Sequence, residues 1–386
     1  MSLSFDLTGE QKLIRDSVRA FAEKEIRPVI HELDRTETFS TELTKAMGDL
    51  GLFGMTVSPD YGGAGMDYVS YIIAVEELAR VDGSQAATLA AHNSLGAGPI
   101  FCFGSEEQKK RYLPRLCTGE HVWAFGLTEP EAGSDAGGTK TTAKNEDGKW
   151  VINGSKVFIT NASCSASLGA TVQAVSGTRP DGKKEYTCFL LEKGTPGYET
   201  KKMTDKLLWR SSDTAELYFK DVALPDAQVL GKPGAGFKQM LETLDAGRLS
   251  IAAMGLGCAQ GAFELGLKYA KERRQFGKPI ATFQANAFKL ADMATEIDHA
   301  RLYLYYACWL KDQNRPYAKE SAMAKLYCAE VARMCVTHSL QLHGAYGFMG
   351  EYEIERFFRD QKLLEVGEGT SEIQRLVISR AIGCYE

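Results

Sequence analysis

Apolar positions along the chain recur with the period of a helix, then of a strand, then of a helix again. Leu13, Ile14, Val18, Phe21, Ala22, Ile26, Val29, Ile30 and Leu33 fall at three- and four-residue spacings, which puts them on one face of an amphipathic helix and predicts that they are core. Thr8 with Gln11, and Ser105 with Gln108, have the spacing of a capping box, so a helix is expected to begin at each. Between them lie a glycine-rich loop at Asp60–Gly65, the apolar run Tyr71–Leu78, and Ala90-Ala91-His92-Asn93-Ser94-Leu95-Gly96, which is polar in the middle of an apolar segment. His92 reads as a hydrogen-bonded core or surface residue, histidine being mixed in its burial. Near Trp123 the period changes. Asp147-Gly148 and Asn153-Gly154 have the composition of hairpin turns flanking Lys149–Ile152 and Lys156–Thr160, and Asp181-Gly182 leads into a strand at Tyr186–Leu191. With Ala170–Val175 and Ala215–Val222 these make a small antiparallel barrel or sandwich that ends near Pro233. Helical spacing returns through Phe237–Ala270, Thr282–Lys311, Ala318–His343 and a shorter terminal pair, where Gly255, Gly257, Gly261 and Gly266 allow helices to approach closely. The expected architecture is multidomain α+β: an N-terminal α-helical domain (1–122), a middle antiparallel β-barrel or sandwich domain (123–233) and a C-terminal four-helix-bundle domain (234–386).

Composition narrows the class. A chain of 386 residues has ample material to bury a large pocket. A formal net charge of −5 gives no support to nucleic-acid binding, which needs a basic face. The nine cysteines include no C-x-x-C pair, and Cys335 with His338 has no second ligand pair, so neither a metal site nor a disulfide framework is expected. The N-terminus enters a helical pattern without an apolar signal core, and nothing later resembles a membrane span; a cytoplasmic protein is the expectation.

Two stretches carry candidate chemistry. In Leu364-Glu365-Val366-Gly367-Glu368-Gly369-Thr370-Ser371-Glu372-Ile373-Gln374-Arg375 a carboxylate sits between two glycines. Either the glycines let the backbone turn sharply to present Glu368 as a base, or they merely end a helix beginning near Tyr352 and leave Glu368 in a solvated turn. The stretch Ala124–Ala136 crowds Thr128, Ser134, three carboxylates and two glycines into one run, which suits either a ligand-binding loop or a capped turn.

Phe125-Gly126-Leu127-Thr128-Glu129-Pro130-Glu131-Ala132-Gly133-Ser134-Asp135-Ala136 resembles the first signature of the acyl-CoA dehydrogenases, and Gln341–Phe348 with Glu351, Arg356 and Asp360 resembles the second. Arg273–Ile280 and Glu368–Gln374 also look like that family's blocks, in the same order, and the likeness runs from about Phe5 to Ala381. Several spaced matches in order are far more specific than any one motif. The resemblance implies the acyl-CoA dehydrogenase fold, FAD as cofactor and α,β-dehydrogenation of an acyl-CoA. Glu368 matches the base that removes the α-proton while a hydride leaves the β-carbon for flavin N5. The enolate charge would be met by donors such as the backbone N–H of the base, each typically contributing about 3–4 kcal/mol. A carboxylate base working near neutral pH needs an apolar, water-poor pocket to raise its pKa.

Further roles are implied position by position. Phe125, Leu127 and Thr128 match contacts at the flavin pyrimidine edge, Ser134 the FAD pyrophosphate and CoA, and Phe158, Ile159 and Thr160 the aromatic-Ile-Thr run on the flavin. Alternation along a strand would put Phe158 and Thr160 on one side; taken alone, Phe158 would be ordinary core. Arg273, Gln275, Phe276 and Gln284, with Gln341, Gly344 and Ala345, resemble the residues that hold the adenine end of FAD from a neighbouring subunit, and Thr370 and Glu372 resemble further FAD contacts. Asp245 and Arg248 match CoA-binding or pocket-bracing positions, although such a pair one turn apart is also a common salt bridge. Gly367 and Gly369 flank the substrate. Gly247 stands where isovaleryl- and long-chain-type members carry their base, which leaves Glu368 without a rival. Gly367 replaces the usual tyrosine before the base, opening space for a short branched or alicyclic acyl group; Leu208 replaces a glycine before Trp209, and Ala345 another, tolerable if its φ stays negative. Electron-transfer flavoprotein as acceptor and a homotetramer built as a dimer of dimers are implied as well. Enoyl-CoA reductases and acyl-CoA oxidases share the fold, as does a DNA-associated alkylation-response flavoprotein, which the acidic net charge disfavours.

Overall fold

The computed structural model describes residues 6–385; Phe5, where the resemblance begins, and the last residue lie outside them. The Thr8 capping box starts α1 (Gly9–Phe21), which passes through a π-helical turn (Ala22–Ile26) into α2 (Arg27–Arg35). Val18, Ala22, Ile26 and Ile30 are core as the stripe predicts, but Leu13 and Val29 are exposed, because the buried face is narrower than the apolar stripe. After α3 (Thr41–Asp49) come α4 (Tyr68–Ala79), α5 (Gly83–Ala90), a second π-helical turn (Ala91–Ala97), α6 (Gly98–Phe103) and α7 (Glu106–Leu116), the last begun by the Ser105 capping box.

Helix α4 is buried on nearly every side. Its two interior carboxylates are matched: Glu76 with Arg301 (3.0 Å) and the Tyr305 hydroxyl (2.8 Å), Glu77 with Arg19 (2.8 Å) and Arg80 (3.1 Å). A buried charge without such partners would be prohibitively costly.

The middle segment holds β1 (Val122–Gly126), β2 (Thr142–Glu146), β3 (Lys149–Thr160), β4 (Ser167–Thr178), β5 (Lys184–Glu192), β6 (Tyr198–Lys202) and β7 (Thr214–Pro225) in one sheet ordered β1-β4-β2-β3-β7-β6, with β5 also on β4. The sheet is mixed, not purely antiparallel, because β1 and β2 run parallel to β4. Asp147-Gly148 and Asp181-Gly182 are turns as predicted. Asn153-Gly154 is not a hairpin. It is a bulge in the continuous strand β3, where the register against β7 shifts. The Asn153 side chain both donates to Asp221 Oδ1 (3.1 Å) and accepts from the Asp221 amide (2.9 Å), so β7 offers continued pairing that a reversal would forfeit.

The C-terminal segment contains α8 (Gly236–Glu272), a two-residue-per-strand hairpin β8 (Arg274–Gln275) and β9 (Lys278–Pro279), α9 (Gln284–Asp312), α10 (Ala318–His343), α11 (Ile354–Val366) and α12 (Ser371–Ala381). The helical period thus placed these elements to within a few residues. One core joins α4 of the first segment to α8, α9 and α10 of the last. The sheet has its own core, and a third cluster around Trp123, Tyr112 and Leu190 joins the sheet to the N-terminal helices. Glycine permits the α4–α8 contact: a Cβ on Gly257 would lie 2.2 Å from the Glu76 carbonyl oxygen, and one on Gly261 2.1 Å from that of Arg80. Leu208, in place of glycine, packs half-buried against the main core, and the following Trp209 donates its amide to Asp360 Oδ1 at 2.8 Å. All nine cysteines are free, and among the described residues no helix is long and apolar enough to cross a membrane.

Gly261→Ala is expected to lower stability by about 1–3 kcal/mol, since the added methyl must push two backbones apart. Gly9→Ala, where a Cβ meets open space, is the matched control and leaves the thermal midpoint unchanged or slightly raised.

Candidate active site

Helix α11 ends at Val366, where the Gly367 amide still donates to Leu363 O at 2.7 Å. The chain then turns through two successive left-handed residues, Glu368 (φ +51°) and Gly369 (φ +95°). A left-handed non-glycine residue costs on the order of 1–2 kcal/mol and persists where surroundings over-determine it. Here they do. Gln374 Nε2 donates to both Glu368 O (3.2 Å) and Gly369 O (2.8 Å), Lys325 Nζ donates to Gly369 O (2.8 Å), and Thr370 caps α12 by accepting from the Ile373 backbone amide (3.3 Å).

The turn sends the Glu368 side chain inward, so the solvated-turn reading fails. A Cβ built on Gly247 would stand 2.0 Å from Glu368 Oε2 and 2.9 Å from Leu95 Cδ2, which puts the carboxylate against α8 at a glycine. Oε2 is sealed from solvent and has no hydrogen-bond partner. Burial pushes the carboxyl up to about 7, against the opposing pull of the Lys325 and Arg248 cations. Arg248, buried, is paired with Asp245. Tyr71, close enough to feel the Glu368 charge, has its hydroxyl 3.1 Å from Ser250 Oγ and donates to Ala90 O at 3.2 Å.

The second π-helical turn ties the surroundings of Glu368 to the sheet. It carries Leu95 beside Glu368 and Gly96 against β1, where a Cβ would meet Trp123 O at 2.4 Å. His92 in the same turn accepts from the Trp123 amide (3.1 Å) and bonds Leu116 O (2.9 Å), and burial lowers its pKa to about 4, so it is a neutral core histidine.

Beyond β1, Phe125, Leu127 and Thr128 are half-buried and Ser134 is exposed. The loop is pinned from beneath by Lys156, fully buried, which donates to Leu127 O (3.0 Å) and Glu129 Oε1 (2.7 Å), while the Val157 amide bonds Thr128 O (2.9 Å). Glu129 in turn accepts from the amides of Lys140 (2.7 Å) and Thr141 (3.1 Å). Phe158 is not core: it is 64% exposed with φ +61°, at a second irregularity of β3 between Lys156 and Ile159. Ile159 is buried and Thr160 half-buried. An exposed aromatic ring in strained backbone, beside half-buried donors on a braced loop, fits a planar aromatic cofactor such as a flavin.

The remaining candidates form a separate group. Arg273, Gln275 and Phe276 are exposed on the β8–β9 hairpin, Phe276 to 93%, and Gln284 is exposed at the start of α9. Gln341, Gly344 and Ala345 are exposed where α10 ends, and Ala345 keeps a non-positive φ beside Gly344 at +60°. The Arg273 guanidinium lies 5.5 Å over the Tyr346 ring, joining the hairpin to this corner. Glu372 is exposed on the first turn of α12. Sequence reasoning missed Lys325, Gln374 and Lys156. Each is a polar residue at a buried position, and the lone lysine inside Ala322-Met323-Ala324-Lys325-Leu326 was the available signal.

A buried carboxyl raised toward neutral pKa, with an exposed aromatic ring beside a braced polar loop on the sheet, suits a flavin-dependent oxidoreductase that works by proton abstraction. The chain belongs to the acyl-CoA dehydrogenase family: residues 8–120, 124–222 and 234–383 match the profiles of the acyl-CoA dehydrogenase N-terminal, middle and C-terminal domains. It is 50% identical over 380 residues to a probable acyl-CoA dehydrogenase, YngJ, of Bacillus subtilis, covering 98% of this chain and 100% of that one. A short-chain specific acyl-CoA dehydrogenase of Clostridium acetobutylicum is 46% identical with the same coverage. The solved structure described as the electron transferring flavoprotein of Acidaminococcus fermentans contains a chain 44% identical, with a TM-score of 0.94, covering 99% of this chain and 100% of that one.

Gly247→Ala is expected to displace the Glu368 carboxylate and slow acyl-CoA oxidation by about 100-fold, the usual consequence of misplacing a reacting group by an ångström. Steady-state rates alongside thermal melts check this; the melting midpoint should stay close to wild type.

Proposed function

We propose that the chain oxidises a short, branched or alicyclic acyl-CoA to the 2-enoyl-CoA, with Glu368 removing the α-proton. The observation that carries this reading is the unpartnered, solvent-sealed Oε2 of Glu368, whose carboxyl burial holds near neutral pKa. A base so poised is deprotonated often enough to act and basic enough to accept the proton. Oε2 is shielded from water, so a substrate α-proton would be the one it takes.

FAD, when bound, supplies the acceptor for the hydride that leaves the β-carbon. Phe125, Leu127 and Thr128 would hold its pyrimidine edge, Ser134 its pyrophosphate, and Phe158 and Thr160 its ring; the exposure of Phe158 supports that assignment. Arg273, Gln275, Phe276, Gln284, Gln341, Gly344 and Ala345 would hold the adenine end of a cofactor seated in a second subunit. A phenylalanine left 93% exposed at a hairpin tip supports such a partner, as does the exposed row Leu302, Tyr306 and Trp309 on α9, and a homotetramer accommodates both. Electrons would leave to an electron-transfer flavoprotein, which the likeness to the Acidaminococcus chain supports. Free thiols throughout support a cytoplasmic location. A short acyl chain is supported by the Clostridium relative, and the branched or cyclic preference rests on Gly367, which puts no ring beside the base.

Glu368→Gln should retain FAD, measured by its visible absorbance, yet lose bleaching by any acyl-CoA; retention of bleaching would remove Glu368 as the base. In a panel of thioesters, isobutyryl-, 2-methylbutyryl- or cyclohexanecarboxyl-CoA should match or exceed butyryl-CoA in kcat/KM. A strong preference for the straight chain would show that Gly367 does not set the shape of the pocket.

A further inference from the structure

We propose that Lys325 and Gln374 are positioning residues, which clamp the Glu368–Gly369 turn from beneath so that the base stands against Gly247, and that the Lys325 cation tunes that carboxylate electrostatically. The proposal rests on the reading of Glu368 as the base.

The geometry is specific. Two residues from different helices, Lys325 on α10 and Gln374 on α12, converge on one carbonyl, Gly369 O, each at 2.8 Å, and Gln374 also reaches Glu368 O at 3.2 Å. Both side chains are fully buried. The fit leaves no slack: a Cβ on Gly369 would stand 2.8 Å from the Gln374 amide nitrogen. The bonded carbonyls belong to the two left-handed residues, whose conformation an unsupported loop would abandon. Placing a lysine fully inside an apolar helix face is costly unless a nearby negative charge or carbonyl dipole offsets it. Gly369 O and the Glu368 carboxylate supply that offset, and burial still lowers the Lys325 pKa to about 8.

The charged and titratable groups around the base divide by element. Tyr71 faces it from α4, Arg248 with its partner Asp245 from α8, and Lys325 from α10, while Glu365 and Glu372 on α11 and α12 act on Lys325. Of the two cations that oppose protonation of Glu368, Arg248 is committed to Asp245. Lys325 carries no such carboxylate pairing and is bonded to the base's own turn. The sign follows directly. A cation favours the carboxylate, so its removal raises the pKa of the base and moves the rising limb of activity to higher pH. Removing Gln374, which is neutral, disturbs position alone.

The test is anaerobic stopped-flow bleaching of the FAD-loaded enzyme by butyryl-CoA across the neutral pH range, for wild type, Lys325→Met, Lys325→Arg, Gln374→Met and Glu368→Gln. Lys325→Met should bleach about tenfold or more slowly at neutral pH, with the midpoint of its pH profile about one unit or more higher. Lys325→Arg should restore the midpoint, and Gln374→Met should lower the rate with the midpoint unmoved. Visible absorbance and circular dichroism of the bound flavin report folding, and if Lys325→Met does not accumulate as holoenzyme, Lys325→Arg and Gln374→Met carry the comparison. Wild-type rates and midpoints in the Lys325 and Gln374 variants, with Glu368→Gln inert, would overturn the clamp while leaving Glu368 as the base. A slowed Lys325→Met with an unmoved midpoint would overturn the electrostatic role. Normal bleaching by Glu368→Gln would remove the base and the clamp with it.

Discussion

A carboxylate oxygen, Glu368 Oε2, withdrawn from water without a hydrogen-bond partner is the constraint to which the rest of this structure answers. Desolvation alone favours the neutral acid and would raise the pKa of Glu368 until it could no longer accept a proton at physiological pH. The fold opposes that with two buried cations, one from α8 and one from α10, and the carboxyl settles at about 7. Those cations are themselves costly to bury, which helps explain why the helices around them pack so closely. Gly247 admits the carboxylate, and Gly257 and Gly261 bring α8 against α4. Close packing excludes water from Oε2, and exclusion of water is what makes the base basic.

The backbone meets the same requirement. An ordinary helix end would have left Glu368 pointing outward from the last turn of α11. Two left-handed residues reverse that direction, and the strain they carry is held by side chains that reach the turn from α10 and α12. The loop after β1 is handled in a parallel way. Lys156, sealed under the sheet, bonds Leu127 O and Glu129, so that the loop's outer edge stays half-buried and fixed while its underside is neutralised. In both places a buried lysine supports a functional loop through a main-chain carbonyl, not through the functional side chain itself.

How much of this could be read from the sequence depended on whether the signal was local. Helix limits in the C-terminal segment were legible because Ala-rich periodicity and Gly or Pro punctuation are local. The capping boxes at Thr8 and Ser105 were legible for the same reason. Asn153-Gly154 misled because its dipeptide composition is that of a turn, whereas its conformation is decided by Asp221 on a strand far along the chain. The parallel pairing of β1 with β4 is likewise a long-range property with no sequence period of its own. Phe158 looked like core for want of any local sign that the strand bulges there. The candidate base was visible from its flanking glycines, but the residues that hold it were not, since a lysine in a helix ordinarily lies on the solvated face.

The distribution of burial separates the two halves of the chemistry. On the Glu368 side, the carboxylate oxygen Oε2, the two opposing cations and the Gln374 side chain are buried within one chain. The other half is left open. Phe158, Ser134, Phe276, Gln284, Gln341 and Ala345 are exposed, and the Arg273 guanidinium next to the hairpin lies over the Tyr346 ring. A chain that meant to bind its cofactor alone would have little reason to place aromatic side chains on two separate open surfaces. On the proposed reading a cofactor would cover one surface and a second subunit the other, and the Glu368 turn would already be assembled in the folded monomer before either arrives.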